Sequence, residues 1–269
     1  MQNRPVKAFF FDIDGTLVSF KTHRIPQSTV DVIERLKEQG HFIIIATGRP
    51  KSIINNLDQL EERNLIDGYI TMNGGYTFVG NKVLSKNPIP HDNLLRIITY
   101  TRQLQVTNVY MFENEEKYVV RESEKYTHIF YDKLSIGYIP CSDESIEDAL
   151  RNRTVYQITT FIDKGQEAIL APQIAECEIT RWHPYFIDII GKGNTKQKGI
   201  EAICKHFKIN QQDTYAFGDG GNDISMLQYA GTGIAMGNAA DDVKAQADYV
   251  TSSIDDNGIE NAVKALDLL

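Results

Sequence analysis

The chain has 269 residues, of which 42% are hydrophobic and 24% are charged, and its formal net charge is −8. This composition excludes a disordered chain, and the length lies between one large domain and two small ones. The acidic balance argues against a nucleic-acid partner, and no apolar run approaches the ~20 residues of a membrane span, so no membrane partner is expected. Three widely spaced cysteines, Cys141, Cys177 and Cys204, favour neither a disulfide framework nor a zinc site and indicate a cytoplasmic protein.

The first 72 residues predict buried strands that alternate with amphipathic helices. Short apolar runs, typical of strands buried on both faces, occur at 6–11, 42–45 and 69–72. One predicted helix begins with a capping box at Ser28–Asp31 and ends near Gly40, and a second begins at Pro50 and continues to Leu60. This order of elements indicates a right-handed parallel α/β unit.

The predicted strands in the middle of the chain are more polar, and they alternate more strictly between polar and apolar residues, as strands with one solvent-exposed face do. Such strands are predicted at 76–79, 82–85, 108–112, 117–121, 155–162 and 178–182. Gly80-Asn81 and Glu113–Glu116 are predicted hairpin turns, and helices are predicted at 92–104, 143–151 and 165–175. The pattern indicates an α+β module with an antiparallel or mixed sheet.

The α/β pattern returns after this module. Thr195 is predicted to cap a helix that ends near Phe207, and further strands are predicted at 214–217, 233–236 and 249–250, with helices at 223–229, 241–247 and 259–268. We therefore expect a doubly wound, Rossmann-like parallel-sheet core. Its segments are 1–80 and 187–269, and an α+β domain of residues 81–186 is inserted between them.

Polar residues follow four of the predicted core strands at their carboxyl ends, where open parallel sheets bind ligands. The residues at these strand ends, including one isoleucine and two glycines with exposed backbone, are Asp12, Ile13 and Asp14; Thr47, Gly48 and Arg49; Asn73 and Gly74; and Asp219, Asn222 and Asp223. Four carboxylates in one place repel one another unless a cation lies among them, and an oxygen-rich ligand set selects Mg²⁺. The hydroxyl, amide, glycine N–H and Lys196 donors suit phosphate oxygens. These residues predict a phosphate site with a bound Mg²⁺, at which a carboxylate can act as nucleophile.

These motifs resemble the haloacid dehalogenase superfamily of phosphatases, and within it the Cof-type subgroup with an inserted α/β cap. Asp12-Ile-Asp-Gly-Thr is similar to the first family motif, Thr47 to the second, Lys196 to the third and Gly218-Asp-Gly-Gly-Asn-Asp to the fourth. The resemblance extends over the whole chain, because the position of the insertion also matches. Lys198 is an alternative to Lys196 as the lysine of the third motif.

The resemblance implies a role for each matching residue. Asp12 is then the nucleophile and Asp14 the general acid/base. The implied Mg²⁺ ligands are Asp12, Asp14 (through its backbone carbonyl), Asp219 and the nearby Asp223, and the implied phosphate-binding residues are Ile13, Thr47, Gly48, Lys196 and Asn222. Arg49, Asn73 and Gly74 are candidates for contact with the substrate, although Arg49 is equally compatible with a surface charge and Asn73-Gly74 with a hairpin turn.

The predicted function is Mg²⁺-dependent hydrolysis of a small phosphate monoester, such as a sugar phosphate, through an aspartyl-phosphate. Two alternatives remain open at this stage: a phosphotransferase or mutase that uses the same chemistry, and a phosphate-ligand sensor without catalysis. The partner is expected to be a small phosphorylated metabolite, and the chain a monomer or small homo-oligomer. The physiological substrate depends on loops of the inserted domain, and the sequence of these loops does not predict it.

Overall fold

The computed structural model describes residues 5–112, 117–119, 123–129, 145–151 and 153–269, which form two compact units. Unit 1 comprises Met1–Gly48, Asn55–Lys86 and Thr195–Leu269, and unit 2 comprises Arg49–Ile54 and Asn87–Asn194. The longer segment of unit 2 therefore begins at Asn87 and ends at Asn194, where the sequence predicts an inserted domain of residues 81–186.

The strands are β1 (Ala8–Phe11), β2 (Phe42–Ala46), β3 (Gly68–Thr71), β4 (Tyr76–Val79), β5 (Lys82–Lys86), β6 (Asn108–Phe112), β7 (Lys117–Val119), β8 (Val155–Thr160), β9 (Cys177–His183), β10 (Phe186–Gly191), β11 (Thr214–Gly218), β12 (Thr232–Ala235) and β13 (Tyr249–Val250). The helices are α1 (Gln27–Glu38), α2 (Asp58–Glu61), α3 (His91–Leu104), α4 (Glu124–Thr127), α5 (Ile146–Arg151), α6 (Lys164–Leu170), α7 (Lys196–Phe207), α8 (Ile224–Tyr229), α9 (Asp241–Lys244) and α10 (Gly258–Ala265). None of the helices in the described ranges has both the length and the apolar character needed to cross a bilayer.

Unit 1 contains an eight-stranded sheet with the order β13-β12-β11-β1-β2-β3-β4-β5. All pairs from β13 to β3 are parallel, and the last two pairs are antiparallel. This architecture confirms the predicted Rossmann-like α/β core. The expectation that β5 belongs to the inserted module is wrong, because the turn at Gly80, with a φ of 53°, folds β5 back onto β4.

The central strand β1 is buried at every position because it is paired on both edges and covered on both faces. Phe10 lies in one apolar cluster with Ile44 of β2 and Ile203 of α7. Phe9 and Phe11 point to the opposite face, since side chains alternate along a strand, and Phe11 stacks on Phe217 of β11 with 4.9 Å between ring centres. The end of β1 is therefore held rigidly at the middle of the sheet.

Unit 2 contains a five-stranded antiparallel sheet with the order β7-β6-β8-β10-β9. Its apolar core includes Ile97 of α3, Ile158 of β8 and Ile189 of β10. The predicted α+β module is therefore present. The sequence does not predict strand β10 and places residues 187–191 in the core, whereas in the structure this strand pairs with β8 and β9.

Three further expectations need correction or fall outside the described residues. The capping box at Ser28 is wrong, because the hydroxyl donates to Asn257 (2.7 Å) and α1 has no side-chain cap. The continuous helix from Pro50 is also wrong, because a 3-10 turn at Lys51–Ile53 is separated from α2 by Asn55-Asn56, which are poor helix formers. The Glu113–Glu116 turn, Cys141 and residues 120–121 and 143–144 lie outside the described residues.

Candidate active site

Asp12 is placed by the centre of the parallel sheet. It directly follows β1, and its backbone N–H extends the pairing by donating to the carbonyl of Phe217 on β11 (3.0 Å). The next residues turn tightly, because the Ile13 carbonyl accepts hydrogen bonds from the N–H groups of Leu17 (3.0 Å) and Val18 (2.7 Å). This turn presents Asp14, two residues after Asp12, at the carboxyl edge of the sheet.

Lys196 lies between two carboxylates. Thr195 caps α7 by accepting from the Lys198 N–H (3.3 Å), and the cap fixes Lys196 as the first residue of the helix. The Nζ atom, which is fully buried, donates to Asp12 Oδ1 (2.7 Å) and to Asp223 Oδ1 (2.5 Å). A buried ammonium is tolerated only when it is paired in this way.

Asp223 fixes the loop after β11. Its Oδ2 atom accepts hydrogen bonds from the N–H groups of Asp219 (3.0 Å) and Gly220 (2.9 Å), while Oδ1 binds Lys196. The side chain is only 1% exposed, compared with 10% for Asp12. Asp12 is therefore the carboxylate of this pair that retains an exposed part.

Asp219 has two partners that the sequence reasoning did not single out as site residues. The Thr16 hydroxyl donates to its Oδ1 atom (2.8 Å), and the Asn238 side-chain amide lies 3.4 Å from its Oδ2 atom. The same Asn238 amide donates to the Gly15 carbonyl (2.8 Å), and its oxygen accepts from the Ile254 N–H (3.0 Å). Asn238 thus joins the loop after β1 to the segment after β12.

The carboxylates of the site are crowded and short of positive charge. Burial raises the pKa of Asp12 well above its usual value, outweighing the opposite effect of Lys196, and the neighbouring carboxylates raise it further. Burial and then Asp223 raise the pKa of Asp219 to about 7. Burial by itself lowers the pKa of Lys196, but Asp12 and Asp223 together raise it above its ordinary value, so the ammonium stays charged.

Three carboxylates of this site fit a divalent cation. Asp12, Asp219 and Asp223 each offer an oxygen, and the three oxygens lie within 4.8 Å of one another. Hard oxygen donors without nitrogen or sulfur are typical of Mg²⁺ sites. The raised pKa values of Asp12 and Asp219 have the same two causes, burial first and then the neighbouring carboxylates, and a bound cation would offset both. The Asp14 carboxylate does not belong to this group of three.

Thr47, Gly48, Asn73 and Asn222 form the other side of the site. Thr47 follows β2, and its N–H donates to the carbonyl of Ile70 on β3 (2.8 Å). The Asn73 N–H donates to the Thr47 carbonyl (3.1 Å), and the Asn222 side-chain amide donates to Asn73 Oδ1 (3.0 Å). Because Asn222 directly precedes Asp223, these contacts connect the Thr47 loop to the acidic cluster.

The structure distinguishes the two lysine candidates and assigns Arg49 to unit 2. Lys198 is 58% exposed and pairs with Glu201 (3.0 Å) within its own helix, whereas Lys196 reaches the carboxylates. Arg49 belongs to unit 2, where its Nη1 atom donates to the Ile53 carbonyl (3.2 Å). Asn238 follows β12 at the same edge of the sheet, so extending the inspection of strand ends to β12 identifies it.

Comparison with known proteins gives consistent matches over the whole chain. A family model described as haloacid dehalogenase-like hydrolase matches residues 9–263. The YkrA protein of Bacillus subtilis (strain 168) is 34% identical over 264 residues, which are 98% of each chain. The pyridoxal phosphate phosphatase YbhA of Escherichia coli (strain K12) is 31% identical over 255 residues, covering 89% of this chain and 90% of YbhA.

A solved structure gives the same result for the fold. The HAD subclass IIB sugar phosphatase BT4131 superposes with a TM-score of 0.93 at 50% sequence identity, covering 98% of this chain and all of that one. The resemblance inferred from the motifs is thereby confirmed at the level of the family and of its Cof-type subgroup.

Proposed function

Since this chain belongs to the haloacid dehalogenase-like hydrolase family and is a hydrolase of phosphate monoesters, we propose that it acts through a phosphorylated Asp12 with Mg²⁺ as cofactor. The observation that carries this proposal is the contact between Asp12 and Lys196 (2.7 Å) at the end of the central strand. The same lysine can hold a phosphoryl oxygen beside the attacking carboxylate, and a rigid strand end gives the alignment that in-line attack requires.

Asp12 is the best candidate nucleophile among the carboxylates. Both oxygens of Asp223 are engaged by hydrogen-bond donors, and its side chain is almost fully buried. Asp219 accepts from Thr16 and lies beside Asn238, so its oxygens are directed toward the loop after β1. Asp12 has one oxygen bound to Lys196 and part of its side chain exposed, which leaves an oxygen for attack on phosphorus.

In the first step an Asp12 oxygen forms a bond to phosphorus as the ester P–O bond breaks. The electron pair of that bond goes to the ester oxygen, which takes a proton from Asp14. In the second step the ionised Asp14 removes a proton from water, the water oxygen bonds to phosphorus, and the bond to Asp12 breaks. Inorganic phosphate leaves, and both aspartates return to their starting states.

The remaining residues bind and orient the phosphoryl group in this proposal. Lys196, Thr47 and Asn222 supply side-chain donors, and Ile13 and Gly48 supply backbone N–H groups, as the family resemblance implies. Asp12, Asp219 and the backbone carbonyl of Asp14 would hold Mg²⁺, with Asp223 nearby. When bound, this ion neutralises carboxylate charge and polarises the phosphoryl oxygens.

We propose small phosphate monoesters, and sugar phosphates among them, as the substrates. Two similar proteins support this class, because BT4131 is described as a sugar phosphatase and YbhA acts on pyridoxal phosphate. Unit 2 would be the cap that selects the ester, and Arg49 would contact the substrate. Assaying the protein against a panel of purified phosphate esters tests this substrate class directly. If none of the sugar phosphates in the panel is hydrolysed, the assignment of sugar phosphates as substrates is wrong.

The decisive experiment compares the wild type with Asp12→Asn in the hydrolysis of p-nitrophenyl phosphate with Mg²⁺. The amide has nearly the same shape but is not a nucleophile, so we expect kcat to fall by about 10³-fold or more with the thermal midpoint retained. Excess chelator should stop turnover of the wild type. Retained activity in Asp12→Asn rules out Asp12 as the nucleophile. If the wild type releases a phosphorylated product instead of free phosphate, the protein is a phosphotransferase. Phosphate binding without any turnover indicates a sensor.

A further inference from the structure

The segment after β3 adopts an unusual backbone conformation. Met72, Asn73 and Gly74 have consecutive φ values of 50°, 53° and 90°, all in the left-handed region. Glycine and, to a lesser degree, asparagine tolerate this region, but methionine does not. The segment is also fully buried, so solvent does not account for its shape. Strained and buried backbone persists where the surrounding structure requires it, and it is enriched at functional sites.

This left-handed turn contacts three parts of the candidate site. The Asn73 N–H donates to the carbonyl of Thr47 (3.1 Å). Gly74 is packed so closely against the Thr195 carbonyl that any Cβ atom would collide with it, and Thr195 is the cap that starts the helix of Lys196. The turn therefore supports both the Thr47 loop and the start of α7.

The Asn73 side chain makes the third contact. Its Oδ1 atom accepts a hydrogen bond from the Asn222 amide (3.0 Å), and this bond joins residues that are 149 positions apart in the chain. Its Nδ2 atom is buried without a hydrogen-bond partner, and it lies 3.2 Å from the position that a Cβ atom on Gly48 would take. A buried amide nitrogen without a hydrogen-bond partner is unfavourable. The hydrogen bond that the Asn73 oxygen accepts from Asn222 is the contribution of this side chain that an apolar residue could not make.

We propose that Asn73 is a positioning residue for phosphoryl transfer that acts through Asn222. Its side-chain oxygen holds the Asn222 amide in the orientation in which that amide donates to the phosphoryl group. Its backbone N–H holds the Thr47 carbonyl in place. This inference rests on the proposed function, in which Asn222 is a phosphoryl donor. In this inference Asn73 acts indirectly, through the Asn222 amide that its oxygen accepts from, and the direct substrate contact expected from the sequence stays a separate prediction.

The orientation of the Asn222 amide affects kcat and KM differently. A donor that is correctly aimed matters most when negative charge shifts on the phosphoryl oxygens, so misorientation lowers kcat more than it raises KM. The side chains of Asn73 and Asn222 act as one unit. Once one of these side chains has been removed, removing the other should therefore lower kcat only slightly further. If the two side chains contributed independently, the two fold-losses in kcat would multiply in the double variant.

The experiment is a double-mutant cycle with Asn73→Gly, Asn222→Ala and the combined variant, measured with p-nitrophenyl phosphate and Mg²⁺. Glycine tolerates the left-handed backbone, so this substitution removes the amide without adding strain. Asn73→Ala removes the same amide but keeps the strain, which gives a second version of the cycle if one variant fails to fold. Asn64→Gly is the matched control, because Asn64 also has a φ of 53° but lies exposed on the surface.

We expect kcat to fall about tenfold for Asn73→Gly, Asn73→Ala and Asn222→Ala, to fall no more than about twofold further in the combined variants, and to stay unchanged for Asn64→Gly. Unchanged kcat in Asn73→Gly overturns the inference, because the turn then needs only the backbone. Multiplicative losses in the combined variants overturn it too, because Asn73 then does not act through Asn222. An inactive wild type would instead refute the proposed function.

Discussion

Replacing Asp219 with asparagine should stabilise the metal-free protein at pH 8. The carboxylate lies near Asp223 in a site with one ammonium, and burial together with Asp223 raises its pKa to about 7. The unfolded chain has an ordinary aspartate pKa of about 3.9. Between these two values the folded state holds a proton that the unfolded state has released, so the free energy of unfolding decreases as the pH rises from about 4 to about 7.

The size of the effect follows from the width of this pH window. Each pH unit inside it is worth about 1.4 kcal/mol, so the interval from pH 5 to pH 7 contributes about 3 kcal/mol at most. Asp219 is partly exposed, and solvent screening reduces this to about 2 kcal/mol. Asp12 also has a raised pKa and acts in the same direction. Asp219→Asn removes one charge from the cluster and should lessen both contributions.

The assay is urea denaturation of both proteins at pH 5 and pH 8, in chelator and then in excess Mg²⁺. We expect the free energy of unfolding of the wild type in chelator to fall by about 2 kcal/mol relative to that of Asp219→Asn between pH 5 and pH 8. Mg²⁺ should stabilise the wild type at pH 8 by mass action and the variant much less. Asp242→Asn, an exposed aspartate on α9, controls for a general effect of charge. Equal pH dependence in the wild type and Asp219→Asn refutes the reasoning.

Three further predictions test the site and its support. Gly74→Ala should destabilise the fold by about 3 kcal/mol or more and abolish activity, because the new Cβ meets backbone, whereas Gly80→Ala, in open space, should cost about 1 kcal/mol; urea denaturation of both measures the difference. Asn238→Ala should raise the Mg²⁺ concentration needed for half-maximal stabilisation against heat, since it releases the loop of Gly15; an unchanged value contradicts this role. Lys196→Ala should abolish phosphatase activity while Lys198→Ala retains it, and comparable losses of kcat in the two would contradict the assignment of Lys196.

The sequence determines the core fold and the acidic members of the candidate site. Apolar runs that lack alternation identify strands buried on both faces, and parallel strands bring their carboxyl ends to one edge. Asp12 and Asp219 each follow such a run, so their position at one edge of the sheet follows from the sequence, and the pairing of β1 with β11 then brings them together. The same reasoning misplaces β5 and misses β10. Each of these strands forms a hairpin with its neighbour, β5 with β4 and β10 with β9, and the residues of a hairpin do not indicate which sheet it joins.

Tertiary structure alone decides how the polar side chains are paired. Lys196 and Lys198 lie on different faces of α7, and only the packing of that helix against the loops after β1 and β11 brings the Lys196 ammonium between Asp12 and Asp223, while Lys198 stays in solvent. The inward amide of Asn73 likewise depends on Asn222, which is distant in the chain. Hydrogen bonds between remote segments depend on angles and separations of a few tenths of an ångström, and these arise from packing rather than from residue order.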